Sequence, residues 1–390
     1  MAMVRFGDVA ERVNTKEDRF NTDLVYYVGG DHIESNALTV SGRGKIKEAD
    51  LGPMFYFGFK PGDILFVTRN PHLRKSAKVD FAGICSEKTL VIATKDENVL
   101  LQDYLAGVMQ SDDFWDFMEE NKSGSVNYFI NWSTLADYEF DLPPLDRQRK
   151  LAELLWAAND LKESYKKAIT ATDEMLKAKF REMFGDAGDD SSRGGAEARS
   201  MWPIVELQSA CSTFIDGDWI EAKDQSEKGI RLVQTGNVGV GAFICKDDKS
   251  RWISEQTFTR LNCTEVFAGD ILISRLPDPI GRACVLPHGL GKAITAVDCT
   301  IVRLKKTILP KFLIAVTDSA SYRKQIEQAT AGTTRARVSR GSLGRIRIPL
   351  PPLSLQREFV AIADKAESAK ANLKKSIAAI DQVMKGLING

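Results

Sequence analysis

The stretch that decides the fold is Leu142-Pro143-Pro144-Leu145-Asp146-Arg147-Gln148-Arg149. It returns as Leu350-Pro351-Pro352-Leu353-Ser354-Leu355-Gln356-Arg357, an offset of 208 positions. The same offset relates Lys162 to Lys370, Asp173 to Asp381 and Lys177 to Lys385 downstream, and Gly124 to Gly332 and Leu135 to Leu343 upstream. Further back, Gly62-Asp63-Ile64-Leu65 echoes Gly269-Asp270-Ile271-Leu272 with a one-residue slip. A repeat this long organises the whole chain. Each copy reads as a globular part followed by a helical part.

A Pro-Pro pair blocks helix ahead of each helical part, and residues 145–184 and 353–390 contain no proline. Heptads counted from Phe359 place Phe359, Ala366, Leu373 and Ile380 at a, with Ile362, Ala369, Ser376 and Val383 at d. The matching first-copy positions include Leu151 at a, and Leu154 and Leu161 at d. Such stripes predict two helices that pair with each other, antiparallel, around an approximate two-fold axis. About 40 residues at roughly 1.5 Å each give a rod of about 60 Å. Leu151, Leu154, Leu161, Phe359, Ile362, Leu373 and Ile380 are the expected assembly residues of these helices.

The resulting segments are a globular part at 1–142, a long helix at 143–184, a Gly- and Ser-rich flexible linker at 185–200, a second globular part at 201–349 and a second helix at 350–390. Short apolar runs bounded by Gly and Asp predict strands at 62–67, 89–92, 269–273 and 299–302. Amphipathic helices are expected over 101–120 and 310–328.

Composition excludes several classes. Apolar residues make up 43% and charged residues 27% of the 390 positions, ordinary for a globular protein, and no run approaches a membrane span. The N-terminus lacks the apolar core of a signal peptide, so a cytoplasmic address is expected. Six cysteines without a Cys-x-x-Cys and three scattered histidines supply no metal-ligand spacing. No phosphate loop, Gly-x-Ser-x-Gly or nuclease core occurs; Gly289-Leu290-Gly291-Lys292-Ala293 only imitates the end of a phosphate loop. No catalytic residue and no metal site is therefore expected.

Net charge is zero but unevenly spread. Residues 1–142 carry 15 Lys+Arg against 23 Asp+Glu, whereas 201–349 carry 21 against 15. Local patches must decide any nucleic-acid role. Arg335, Arg337 and Arg340 lie in a run with no acidic residue between Glu327 and Glu358, followed by Arg345 and Arg347. Arginine among hydroxyl residues suits phosphate contact, and bidentate Arg on guanine is the commonest base contact. The loop after Ile273 adds Arg275 and Arg282. Its first-copy counterpart holds Arg69, His72, Arg74, Lys75 and Lys78, a basic run in an acidic domain. The first-copy counterpart of the arginine run is Ser125–Trp132, where Asn127 and Asn131 could read base edges.

The duplicated order of Ala331-Gly332-Thr333-Thr334, a short strand and Pro349-Leu350-Pro351-Pro352-Leu353-Ser354-Leu355-Gln356-Arg357 before a heptad helix resembles the specificity subunit of type I DNA restriction–modification systems. The resemblance covers essentially the full length, although the first copy has Asp141 where the second has Pro349. It implies an α+β chain with two α/β target-recognition domains in tandem repeat, separated by two long helices forming an antiparallel coiled coil. It further implies a non-catalytic subunit that reads a bipartite asymmetric DNA site. Expected partners are double-stranded DNA, methyltransferase subunits and a restriction/translocase subunit. The chain itself would need no cofactor, S-adenosylmethionine belonging to the methyltransferase. Two other readings stay open: an assembly scaffold that never touches DNA, and a single-chain DNA-modifying enzyme with a divergent active site.

Overall fold

A computed structural model describes residues 2–185, 202–332 and 336–389. The chain forms two compact units, Met1–Ala168 with Asn372–Gly390, and Ile169–Ala371. Each unit therefore combines one globular part with halves of both long helices.

The two globular parts are built alike. In the first, strands Ala10–Val13, Thr89–Thr94, Ile64–Val67 and Ser76–Lys78 follow one another in an antiparallel sheet. In the second, Cys211–Asp216, Cys299–Leu304, Ile271–Ser274 and Ala283–Val285 do the same. A second four-stranded sheet in each part contains one parallel pair: Tyr26–Val28 with Gly83–Ser86, and Ile230–Val233 with Ala293–Thr295. The unbroken apolar run Ile64-Leu65-Phe66-Val67 follows from this layering. Ile64 and Phe66 face a core shared with helices, while Leu65 and Val67 face the core of the second sheet. Ile271 and Ile273 against Leu272 repeat the division. A strand covered on both faces needs apolar residues at every position.

The expected strands are present, but the two read from a Gly-Asp pair begin just after it. Gly62 and Gly269 turn at φ 97° and 91°, a conformation open to glycine. The Asp63 and Asp270 carboxylates accept the main-chain N–H of Lys60 and Phe267, locking the turn. Each amphipathic segment expected as one helix is two: Gln102–Val108 with Asp112–Glu120, and Pro310–Thr317 with Ala320–Ala329. The breaks fall at Ser111 and Ser319, which are 208 residues apart. Both hydroxyls cap the following helix, accepting from Phe114 N and Tyr322 N.

The repeated glutamine explains the motif that opened the sequence. Gln148 is buried; its Oε1 accepts from Leu101 N at 2.9 Å, and its Nε2 donates to Val99 O and Pro143 O. Gln356 does the same with Leu309 N, Thr307 O and Pro351 O. One amide thus ties the first turn of each long helix to the loop that starts its neighbouring short helix. The chain enters each motif from a two-stranded ribbon, Ala2–Arg5 with Glu139–Leu142 and Ile204–Glu206 with Arg347–Pro349.

The long helices span Leu145–Phe184 and Leu353–Asn389 and pair antiparallel. In the first unit Lys162 meets Asp381 at 2.6 Å, and Leu155 and Met384 share one core. In the second, Lys370 meets Asp173, and Phe180 and Phe184 pack on Phe312 and Phe359 with ring centroids 5.0–5.9 Å apart. The two ion pairs are the same pair of repeat positions taken twice. Two of the expected assembly leucines turn outward, however. Leu154 and Leu161 are 57% and 45% exposed, while Ala152, Leu155 and Asn159 are buried. In the first helix the inward seam runs one residue past these d positions, because the helix also packs on its globular core and turns its stripe towards it. Leu151, Ile362, Leu373 and Ile380 are half-buried and Phe359 is buried.

Candidate nucleic-acid interface

In both globular parts the loop after the central strand is hydrogen-bonded to the segment 208-equivalent to the arginine run. Ile130 N donates to Thr68 O at 2.9 Å, and Val338 N donates to Arg275 O at 3.2 Å. The two loops singled out in each copy are thus neighbours, an adjacency that nothing in their sequence spacing reveals.

In the first copy Asn70 N donates to Tyr128 O, and Arg69 donates to Asn127 O at 3.2 Å with its guanidinium 5.1 Å from the Phe129 ring centroid. Asn70 and Arg74 flank the turn Pro71–Leu73 in left-handed conformations, φ 54° and 49°. Residues other than glycine take up that region at a cost, and such positions cluster at binding loops. Asn127 and Asn131 are exposed. Asn131 stands at the start of helix Trp132–Ala136 without using its side chain as a cap, so the amide is free of that duty.

Two first-copy cations are partly spent. Arg74 holds Asp112 at 2.6 Å and Asp116 at 3.5 Å, and Lys75 donates to Gly30 O at 2.7 Å. Hydrogen bonding from Arg74, and then from Lys385, keeps the Asp112 carboxyl below its ordinary range. Lys78 is committed to Asp103.

In the second copy the arginines divide sharply. Arg275 and Arg282 are buried, which corrects the expectation that both reach DNA. Arg275 donates to Val297 O at 2.6 Å and pairs with Asp216 at 3.3 Å. Arg282 donates to the carbonyls of Val238, Leu276, Pro279 and Thr235. Burial pulls both guanidinium groups down from their ordinary value. They are internal braces of the loop, because their guanidinium groups are enclosed and already hold carbonyls from neighbouring segments. Arg337 is exposed beside Asp298 at 3.3 Å, and Arg340 is exposed on the first turn of helix Arg340–Gly344, capped by Ser339. Arg345 and Arg347 are exposed as well. Arg335 lies outside the described residues.

Comparison with known proteins bears on what these loops serve. Residues 202–382 match the model of the type I restriction modification DNA specificity domain. That match covers the second globular part and most of the long helix that follows it. The type I restriction enzyme MjaVIII specificity subunit of Methanocaldococcus jannaschii is 20% identical over 269 residues, covering 65% of this chain and 60% of that protein's length. A chain solved in work on complex assembly and conformational transition of the type I R-M system shares the fold at TM-score 0.59 and 19% identity, over 99% of this chain and 96% of the other. The type I restriction–modification S subunit from M. genitalium gives 0.57 and 14%, over 99% and 94%. The type I specificity fold accounts for the two α/β parts and the two long helices. No helix among the described residues is long and apolar enough to cross a membrane.

One exposed aromatic escapes a motif-based reading. Trp219 follows Gly217-Asp218, a pair that reads as an ordinary turn, and no charge or repeat signal marks it.

Proposed function

We propose that this chain is the non-catalytic specificity subunit of a type I restriction–modification complex, reading a bipartite asymmetric site in double-stranded DNA. The observation that carries the reading is the duplicated pair of hydrogen-bonded loops, one pair in each α/β part. Arg69, Asn127 and Asn131 present contacts from the first pair, Arg337 and Arg340 from the second. Arg74 and Lys75 join them once phosphates compete with Asp112, Asp116 and the Gly30 carbonyl for their charge. Arg335 belongs to the same run by sequence. The copies differ in every one of these side chains, so the half-sites differ in sequence. The long helices carry the methyltransferase subunits. S-adenosylmethionine and the reacting groups belong to the methyltransferase, and cleavage belongs to a restriction/translocase subunit. The complex works in the cytoplasm.

The test is to reconstitute the chain with its methyltransferase subunits and map the methylated bases. Residues 201–349 are then exchanged for the equivalent part of a relative with a different target. One half-site should change while the other and the spacing persist. Methylation by the isolated chain, or two unchanged half-sites after the exchange, would overturn the reading.

A further inference from the structure

The loop that links the first strand of the antiparallel sheet to the parallel pair carries an exposed aromatic in both copies. Phe20 is 82% exposed in the loop between Ala10–Val13 and Tyr26–Val28, and Trp219 is 69% exposed in the loop between Cys211–Asp216 and Ile230–Val233. Trp219 leaves most of an indole's roughly 150–250 Å² in water. The exposure is not the result of a loose loop. Gly217 N donates to Cys299 O, Asp218 N donates to Thr295 O, and the Asp218 carboxylate accepts from Thr264 N at 2.9 Å. A side chain at Gly217 would come within 2.4 Å of Thr295 O, so the backbone lies tight against its neighbour. On the other side Ile220 packs on the core of Ile230, Leu232 and Ile253. With Asp218 and Ile220 both anchored inward, the residue between them is held outward.

The place where it emerges matters. Asp216, three residues earlier, pairs with Arg275; Arg275 binds Val297 O and accepts Val338 N on its own carbonyl; Arg337 pairs with Asp298. Trp219 therefore rises from the same hydrogen-bonded cluster that presents Arg337.

We propose that Trp219 is a DNA contact, its indole packing against a base step of the second half-site on the side of the domain that presents Arg337. This rests on the DNA-recognition reading above. Apolar side chains wedge against or between base steps, and aromatic faces stack on bases. The indole N–H donates to the Glu221 carboxylate at 3.4 Å, which leaves the ring faces open.

An apolar base contact releases no counterions, whereas a phosphate contact does. This difference is the signature to measure. In the reconstituted complex, Trp219→Ala should weaken binding to a duplex carrying the mapped site roughly 5- to 150-fold, the range of a lost stacking contact. The salt slope should be unchanged, and Trp219→Tyr should retain most of the affinity. Arg337→Ala should instead lower the slope. Wild-type affinity in Trp219→Ala would overturn the proposal. So would a loss of subunit assembly with unaltered affinity in the assembled fraction, which would make Trp219 a protein-docking residue. If the wild-type complex itself binds no duplex, the DNA-recognition reading fails first, and that result is distinct from equal binding by wild type and variant.

Discussion

Arginine 275 and arginine 340 carry the same side chain and serve opposite ends. Arg275 is surrounded by the Val297 carbonyl and Asp216, while Arg340 stands in solvent at a helix start. Sequence shows the charge of both and the enclosure of neither, since the carbonyls that cage Arg275 and Arg282 come from segments 22 to 63 residues away in the case of Arg275. This is why the loops were legible and two of their arginines were misassigned. The contrast is testable. Arg275→Ala should cost about 1–3 kcal/mol of folding free energy, because it leaves the Val297 and Val338 carbonyls and the half-buried Asp216 without their partner. Arg340→Ala should leave thermal unfolding unchanged. If Arg340 contacts a phosphate, the variant should bind all sequences more weakly, with a salt slope reduced by about one. Calorimetry and a salt titration of DNA binding check the two halves separately. Equal destabilisation by both variants would contradict the burial seen here.

At the scale of elements, the most informative letter was the repeated glutamine, and its reason lay out of view. The Pro-Pro pair announces where each helix starts, and the absence of proline announces its length. Neither says that Gln148 and Gln356 clamp that start to another loop through three hydrogen bonds each. The serine breaks at Ser111 and Ser319 were equally hidden, because the apolar pattern continues across them and only the cap geometry shows the stop. Heptad counting found the helices and their partner but placed Leu154 and Leu161 inward, since it allowed for a helix–helix contact without the globular core that draws the first stripe round. A clamp of this kind should act locally. Gln356→Ala leaves Leu309 N, Thr307 O and Pro351 O without partners, at about 1–3 kcal/mol for an unsatisfied buried group. The variant should lower the denaturant midpoint of the second unit and spare the first, and Gln148→Ala should do the reverse. Variants that keep Trp115 or Trp252 as the sole tryptophan of the six can report the two units separately. A shift of the same size in both units from either variant would mean the clamp acts on the coiled coil as a whole.

For the whole molecule, duplication turns one helix into a paired rod without any second chain. Because Lys162–Asp381 and Asp173–Lys370 repeat the same two positions, each contact made once by the sequence is made twice by the fold, as in an isologous interface. The same two ion pairs put Ala168 and Ser376 at nearly the same level of the pair, at the middle of the repeat relation. Insertions at these points should therefore lengthen both helices together rather than shear one along the other. Four residues after each add about 6 Å of rod, close to two base pairs at about 3.4 Å per pair along one strand. They advance the helix by slightly more than one 3.6-residue turn, so the apolar seam is only mildly misphased. If the helices act as the ruler of the bipartite site, the mapped methylation pattern should show a central spacer longer by about two base pairs, with both half-sites intact. The half-sites should persist because the loops that read them are braced from inside each α/β part, by Arg275, Arg282 and the Thr68–Ile130 contact, and none of those braces is touched. An unchanged spacer would place the ruler elsewhere and leave the helices as an assembly surface. A change in half-site bases would mean that rod and loops are coupled, which the separate bracing of the loops argues against.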